Sequence, residues 1–470
     1  MSNSDKAKQT PFFILITAIF LGIISPFMLS DGMFMDGLLY AAISNNMAHG
    51  MGNAWDLFLT NTFYPHFHEH PPLAFMFQST LFKLFGDSIL IERIYSLGTF
   101  GITAFIMTKI WKEIVSEQYK KLSWLPLLFW ITIPLVSWAA PNNMLENTMM
   151  IFTSLSALFI IKSSKSNSII YLSLSGIMIF LAVLTKGLVA LFPFALIFWI
   201  FVFNKKFGFL RFSKDLIISL SAMILSFIVL FIFIPDSYDS LLAYFNKQIL
   251  GSIENAQTVN SRFFIVFRLF KELIPSLIIM LIIVISTRKQ KTRNNNDWAI
   301  ILLALGLSGV MPIMISMKQS GFYILATFPI FSIALALIIV PKFNILTERI
   351  KTQNTNFKAF KYISYTLLLI SIVLLLSKIN TIGRDKDVIK DVYSMVEIIP
   401  KNTTIGIQKE IRTEWSMHGY FQRYGNIALD THISNNTNFL ILKKNNKTRY
   451  DGFTIADSSL NVYSLYKREQ

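Results

Sequence analysis

Apolar residues in this chain are bunched rather than evenly spaced. Blocks of about twenty residues, the length a helix needs to cross a bilayer core, alternate with short polar connections. About eleven blocks meet that length criterion: 11–30, 88–111, 122–140, 144–161, 169–184, 188–202, 216–234, 273–286, 298–317, 322–340 and 362–376. Those near 188 and 273 are the shortest. Lipid offers the backbone no hydrogen-bond partners, so such blocks are helices. A membrane barrel would need short strands alternating apolar and polar, which are not seen in these blocks. The pattern predicts a mainly α, polytopic transmembrane helix bundle.

Three longer stretches break the rhythm. The first runs from 31 to 87. It contains two segments, near Asp36–Met47 and Pro72–Phe85, with apolar residues at helical spacing. These predict amphipathic helices lying in the membrane surface. The second is 235–264. The third begins after Lys378, where the apolar blocks stop and short alternating runs appear, at 404–408 and 439–442. It predicts a small α/β domain of about ninety residues. The chain then divides into a transmembrane part, 1–380, and a soluble part, 381–470.

Composition agrees with this picture. Hydrophobic residues make up 53% and charged residues only 15%, against about a quarter charged in soluble proteins. The net charge of +16 does not point to nucleic acid, because the basic residues form no single face or tail. They sit in four connections: Lys109, Lys112, Lys120 and Lys121; Lys205, Lys206, Arg211 and Lys214; Arg288, Lys289, Lys291 and Arg293; Lys342, Arg349, Lys351, Lys358 and Lys361. With the N-terminus inside and eleven crossings, all four fall on the cytoplasmic side, as the positive-inside rule requires. The stretches 31–87, 235–264 and 381–470 then lie outside a bacterial inner membrane. The run 11–30 is too long for a signal-peptide core and reads as a retained span. Cysteine is absent, so no disulfide or thiolate metal site exists.

Candidate chemistry gathers on the outer side. Asp31 and Asp36 stand where the chain leaves the first span. A carboxylate at such a boundary is either a partly desolvated general base or an ordinary loop acid. Three of the six histidines, His66, His68 and His70, alternate within five residues around Glu69 and precede Pro71-Pro72. They suit a structural divalent metal, or cations and donors for a phosphate. Lys186 lies in a tight turn between apolar blocks, where lysines either snorkel or serve function. Lys318, Lys247 and Arg262 are further cations on this face. They run against the orientation bias, and a pocket for an anionic lipid headgroup would explain them. Glu146 opens the fourth span, where an unpaired carboxylate is costly.

With these residues in view, the chain resembles the membrane glycosyltransferases of the C-type fold. Within them it is similar to the dolichyl-phosphate-mannose protein mannosyltransferase family, a group that includes the bacterial transferase adding aminoarabinose to lipid A. The likeness covers the span pattern through about residue 340. In that family an acid opening the first outer loop, often in an Asp-Glu-x-x-Tyr pattern, is the proposed base. Asp36 with Tyr40 matches it, while Gly37 stands where the second acid would be. A Glu-Lys-Pro before a surface helix becomes Glu69-His70-Pro71, with histidine replacing the phosphate-contacting lysine. The acid of the fourth span matches Glu146, the Lys-Gly between the fifth and sixth spans matches Lys186 and Gly187, and a phosphate-side tyrosine matches Tyr323 beside Lys318. Arg262 is the choice for the family's outer-loop arginine, with Lys247 the runner-up.

The resemblance implies an inverting transferase. It would move a monosaccharide from a polyprenyl-phosphate donor to an envelope acceptor such as lipid A, a lipopolysaccharide glycan or a protein. Asp36 would be the base. His70, Lys186, Tyr323, Arg262 and Lys318 would hold the donor phosphate, and Tyr40, Glu69, Glu146 and Lys247 would line the substrates. The resemblance implies no required cofactor, so a metal at the histidines would be structural. Two other classes fit a polytopic chain. An O-antigen polymerase or ligase usually places its catalytic loop late in the chain. A secondary transporter would show inverted repeats and mid-membrane charge pairs, which are not evident here.

Overall fold

The computed structural model describes residues 3–251, 257–289, 297–348, 354–446 and 450–469. Among the basic residues assigned above to cytoplasmic connections, Lys291, Arg293, Arg349 and Lys351 lie outside these ranges.

Every apolar block is helical. The helices are α1 (Asn3–Met28), α4 (Leu90–Ile114), α5 (Leu125–Ile131), α6 (Pro134–Ala139), α7 (Leu145–Ser166), α8 (Ile169–Lys186), α9 (Ala195–Phe203) and α10 (Phe209–Phe233). They continue with α12 (Phe264–Ser286), α13 (Trp298–Val310), α14 (Phe328–Glu348) and α15 (Thr355–Leu376). Among the described residues nine helices are long and apolar enough to cross a membrane, or ten with one bent pair. The expected count of about eleven is one or two above this. One block, 122–140, is a helix pair broken by 80°, and another, Leu188–Phe203, is too short to span alone.

The break has a local cause. Pro134 cannot continue a helix and drives the residue before it out of the α region, so Ile133 is extended (ψ 117°). The donors freed at the start of α6 would be costly in lipid. Glu272 of α12 meets one of them, its Oε2 accepting from Leu135 N at 2.7 Å, and Arg268 pairs with its Oε1 at 2.8 Å. A carboxylate at a helix N-terminus is also favoured by the helix dipole.

The first outer stretch holds α2 (Met35–Ala48) and α3 (Leu73–Phe85). α3 keeps one covered face and leaves Met76, Phe77, Leu84 and Phe85 exposed, as a surface helix does. α2 differs from the surface helix its pattern suggested, because almost every residue from Gly37 to Asn46 is buried. One side, with Leu39, Tyr40, Ala42 and Ile43, packs on Leu57, Leu59, Phe67 and Phe75. The other, with Leu38, joins the core of the C-terminal domain.

The second outer stretch contains α11 (Asp236–Tyr244). The C-terminal domain holds α16 (Lys386–Ile398) and α17 (Trp415–Gly425). Its five strands are β1 (Thr404–Ile407), β2 (Ala428–Asp430), β3 (Phe439–Lys443), β4 (Phe453–Asp457) and β5 (Tyr463–Arg468). Their order is β2-β1-β3-β5-β4; β1 is parallel to β2 and β3, and β5 antiparallel to β3 and β4. The buried residues of β1 and β3 pack on Ile389, Val392, Met395, Met417 and Tyr420 of α16 and α17.

Candidate active site

The site starts from the turn between α6 and α7. Asn143 adopts a left-handed conformation (φ 49°), which asparagine tolerates better than most residues. That turn seats the beginning of α2. Asn142 Oδ1 accepts from Phe34 N at 2.8 Å, and Asn143 Nδ2 donates to Gly37 O at 3.2 Å and to Gln78 Oε1 at 2.9 Å. The backbones approach so closely that a Cβ on residue 37 would lie 1.9 Å from Asn142 O. Glycine at 37, where the resembling family carries a second acid, is thus dictated by packing.

Asp36 occupies the first turn of α2. Burial pushes its carboxyl up from 3.8 to about 6; the Lys186 ammonium opposes this, and Glu146 and Glu69 add to it. One turn on, Tyr40 is buried and its hydroxyl lies 3.0 Å from His70 Nε2. Burial holds the His70 imidazole well below its ordinary range, and the nearby Lys186 and Lys318 charges act in the same direction. His70 is therefore a neutral donor or acceptor near pH 7, and the cations beside it are Lys186 and Lys318.

Glu146 at the start of α7 and Lys186 at the end of α8 form an ion pair, with Lys186 Nζ 3.2 Å from Glu146 Oε1 and side-chain exposures of 7% and 0%. Neither Glu146 oxygen meets a hydrogen-bond donor in good geometry among the described residues. The chain turns sharply after Lys186 through Gly187 (φ +80°), where a Cβ would lie 1.8 Å from the Tyr244 hydroxyl. Tyr244 in turn donates to Lys186 O at 3.4 Å. Tyr323, in the 3₁₀ segment Gly321–Thr327, lies within electrostatic reach of Glu146, Asp36 and Glu69. Lys318 Nζ donates to Gln248 Oε1 at 2.9 Å and influences both Asp36 and His70. Glu69 accepts from the Tyr64 hydroxyl at 2.7 Å and stands 3.7 Å from Lys247 Nζ. The partly exposed rings of Phe34, Trp138 and Phe322 wall this group, with centroids 5.1 Å and 5.9 Å from Phe34 to the other two.

The structure thus gathers Asp36, Tyr40, Glu69, His70, Glu146, Lys186, Lys247, Lys318 and Tyr323. It does not bring in Arg262. That side chain is exposed, and its guanidinium is taken up by the carbonyls of Met314 and Ile315. The histidine trio also disperses. His66 pairs with Asp56 at 2.8 Å on the surface, His68 lies parallel to it with ring centroids 6.5 Å apart, and His70 turns inward. Among the described residues no three His, Cys, Asp or Glu side chains converge as metal ligands. Alternation does place His66 and His68 side by side, but burial of His70 against Tyr40 breaks the row. Sequence reasoning missed Tyr244 and Gln248, whose contacts come from segments far away along the chain. It also missed Arg268 and Glu272, although an i, i+4 charge pair inside an apolar block is a readable signal.

The whole architecture is similar to two solved structures of ArnT from Cupriavidus metallidurans. The one bound to undecaprenyl phosphate gives a TM-score of 0.66 at 12% identity, covering 96% of this chain and 97% of that one. The apo form gives 0.62 at 12% identity, covering 97% and 98%. The archaeal oligosaccharyltransferase AglB from Archaeoglobus fulgidus, in complex with an inhibitory peptide and a dolichol-phosphate, gives 0.52 at 12% identity, covering 94% of this chain and 70% of that one. No curated protein matches in sequence. The chain shares the fold of these solved structures and is a multi-pass membrane protein. Residues 69–238, the stretch from Glu69 through α10, match the family model described as dolichyl-phosphate-mannose-protein mannosyltransferase. That sequence match spans 170 of the 470 residues, while the likeness of fold extends over nearly the whole chain.

Proposed function

We propose that this enzyme moves a monosaccharide from a polyprenyl monophosphate to an acceptor in the bacterial envelope, on the outer face of the inner membrane, with inversion at the anomeric carbon. The observation that carries this reading is the gathering of Asp36, in the first turn of α2, with the buried Lys186–Glu146 pair, whose ammonium lies within electrostatic reach of an aspartate that burial raises to about 6. A base poised near neutral pH is the form that general-base catalysis favours.

In this reading Asp36 takes the proton of the acceptor hydroxyl or amine. The acceptor atom bonds to the anomeric carbon as the carbon–oxygen bond to phosphate breaks, and the lipid phosphate leaves from the opposite face. Lys186 and Lys318 stabilise the charge developing on that phosphate, while Tyr323 and the Tyr40–His70 pair supply neutral donors. Glu146 orients Lys186, and Glu69 holds Lys247 at the mouth. A monoester leaving group carries its charge to these fixed cations, so a divalent ion is not required. The N-terminus and the basic connections then face the cytoplasm, and the C-terminal domain faces outward.

The test is transfer by purified, detergent-solubilised protein supplied with radiolabelled polyprenyl-phosphate sugars and an envelope extract. Label entering the acceptor with wild type but not with Asp36→Asn, and persisting under chelation, supports the reading. Transfer only from pyrophosphate-linked oligosaccharides would move the protein to the polymerase or ligase class. Near-wild-type transfer by Asp36→Asn would remove the base.

A further inference from the structure

Asp31, the other acid at the exit of the first span, has no part in the chemistry above, yet its carboxylate is among the most heavily bonded in the protein. Only 6% exposed, Asp31 accepts from the hydroxyls of Tyr393 on α16 and Tyr424 on α17, and Oδ1 also accepts from Gly32 N at 2.6 Å. Both oxygens are engaged, so it cannot reach a substrate. Its backbone is tied as firmly: Asp31 N donates to Thr381 O at 2.8 Å and Gly383 N donates to Asp31 O at 2.9 Å, a short parallel bridge. There is no slack around it. A Cβ at Gly32 would lie 2.5 Å from Arg384 O, and one at Gly383 would lie 2.2 Å from Ser30 Oγ.

The same knot reaches the catalytic turn. Arg93 of α4, 2% exposed, donates to Ser30 O at 3.0 Å and Gly32 O at 2.7 Å, and also to Pro141 O, next to the Asn142 that seats α2. From the other side α17 lies directly on α2: a Cβ at Gly419 would meet Leu38 at 2.8 Å, and Gln422 donates to Asn46 Oδ1 at 2.9 Å. A buried ion pair, Arg423 to Glu92 at 3.2 Å, closes the contact.

We propose that Asp31 is a positioning residue: clamped by Tyr393 and Tyr424, it lets the C-terminal domain set the start of α2 and hence the placement of Asp36. The proposal rests on Asp36 being the base. The C-terminal domain is then part of the catalytic framework, because displacement of a reacting group by about 1 Å can cost about a hundredfold in rate. Tyr393, Tyr424, Tyr420 and Arg93 are the groups that face Asp31. Lys186, Glu146, Glu69 and Lys318 are the charges that face Asp36.

The experiment compares full-length wild type, Tyr393→Phe/Tyr424→Phe and Asp36→Asn in the transfer assay, each checked for monodispersity and thermal unfolding. The double variant keeps both rings and removes both donors. We expect its kcat to fall about tenfold to a hundredfold, with donor KM changed by less than about twofold. The acid limb of its pH profile should move down as Asp36 loses its burial. Wild-type kcat in the folded double variant, with Asp36→Asn inactive, overturns the clamp and leaves the base standing. A loss equal at every pH, with the limb unmoved, also overturns it, because that reports only fewer folded molecules. Activity in Asp36→Asn overturns the base and the clamp together. Should the double variant fail to fold, Asp31→Asn is read by the same criteria.

Discussion

Lys186 Nζ and Glu146 Oε1 lie 3.2 Å apart at facing ends of two consecutive spans, and both side chains are buried. Such a pair is weak evidence for stability, but breaking it leaves an uncompensated charge, which costs about 3–5 kcal/mol. Lys186→Met is therefore expected to lower the unfolding temperature in detergent markedly. Lys186→Met/Glu146→Gln should recover most of that stability and still transfer sugar far more slowly, because in the proposed mechanism Lys318 alone is left to meet the phosphate charge. Recovery of activity in the double variant would show that the pair is structural only.

Asp36 must be ionised to accept a proton. With its carboxyl raised to about 6, kcat/KM should fall about tenfold per pH unit below that value. An unperturbed aspartate would carry the limb down to about 3.9. A pH profile flat from 5 to 8 would tell against Asp36 as the titrating group.

His70 sets a second pH dependence, in stability rather than rate. Burial holds its folded form neutral well below the ordinary value of 6.5, so the unfolded chain binds the extra proton. Stability from this residue is complete above about 6.5 and declines as pH falls, by at most about 1.4 kcal/mol per unit. His70→Gln should remove that component from the pH dependence of thermal unfolding. An unchanged slope between pH 6.5 and 5 would count against the buried neutral imidazole.

Gly37 has no room for a side chain beside Asn142 O. Gly37→Ala is expected to destabilise by about 1–3 kcal/mol, as overpacking does, and to depress transfer more than binding, since α2 must shift. Donor affinity and kcat measured together check this. Wild-type kcat in the alanine variant would mean that the turn yields without moving Asp36.

Much of this was legible beforehand because the bilayer imposes a length. Apolar blocks at membrane spacing marked every span, and the order of acid, tyrosine, Glu69-His70-Pro71 and Lys186-Gly187 marked most of the candidate site. What stayed hidden depends on contacts remote along the chain. Arg262 looked like a phosphate cation because it is basic and outward, but the carbonyls at the end of the 298–315 helix claim it. His70 looked like a third metal ligand by alternation, yet Tyr40, thirty residues earlier, turns it inward. Asp31 could be read as half of an acidic pair until two tyrosines from the far end of the chain were seen to hold it. Covered faces on both sides of α2 were equally unreadable, since the segment that covers one of them lies more than 300 residues further along the sequence.

That double covering bears on how this enzyme can be recombined. An exchange of the C-terminal domain cut at residue 380 would sever α2 from half of its packing, because Leu38, Leu39 and Asn46 answer to Gly419 and Gln422. The transplantable module is discontinuous: residues 31–48 travel with 381–470. Substitutions accumulating on either piece are constrained by the other, so the two ends of the gene should drift in step while the lipid-facing surface of α10 between them drifts freely.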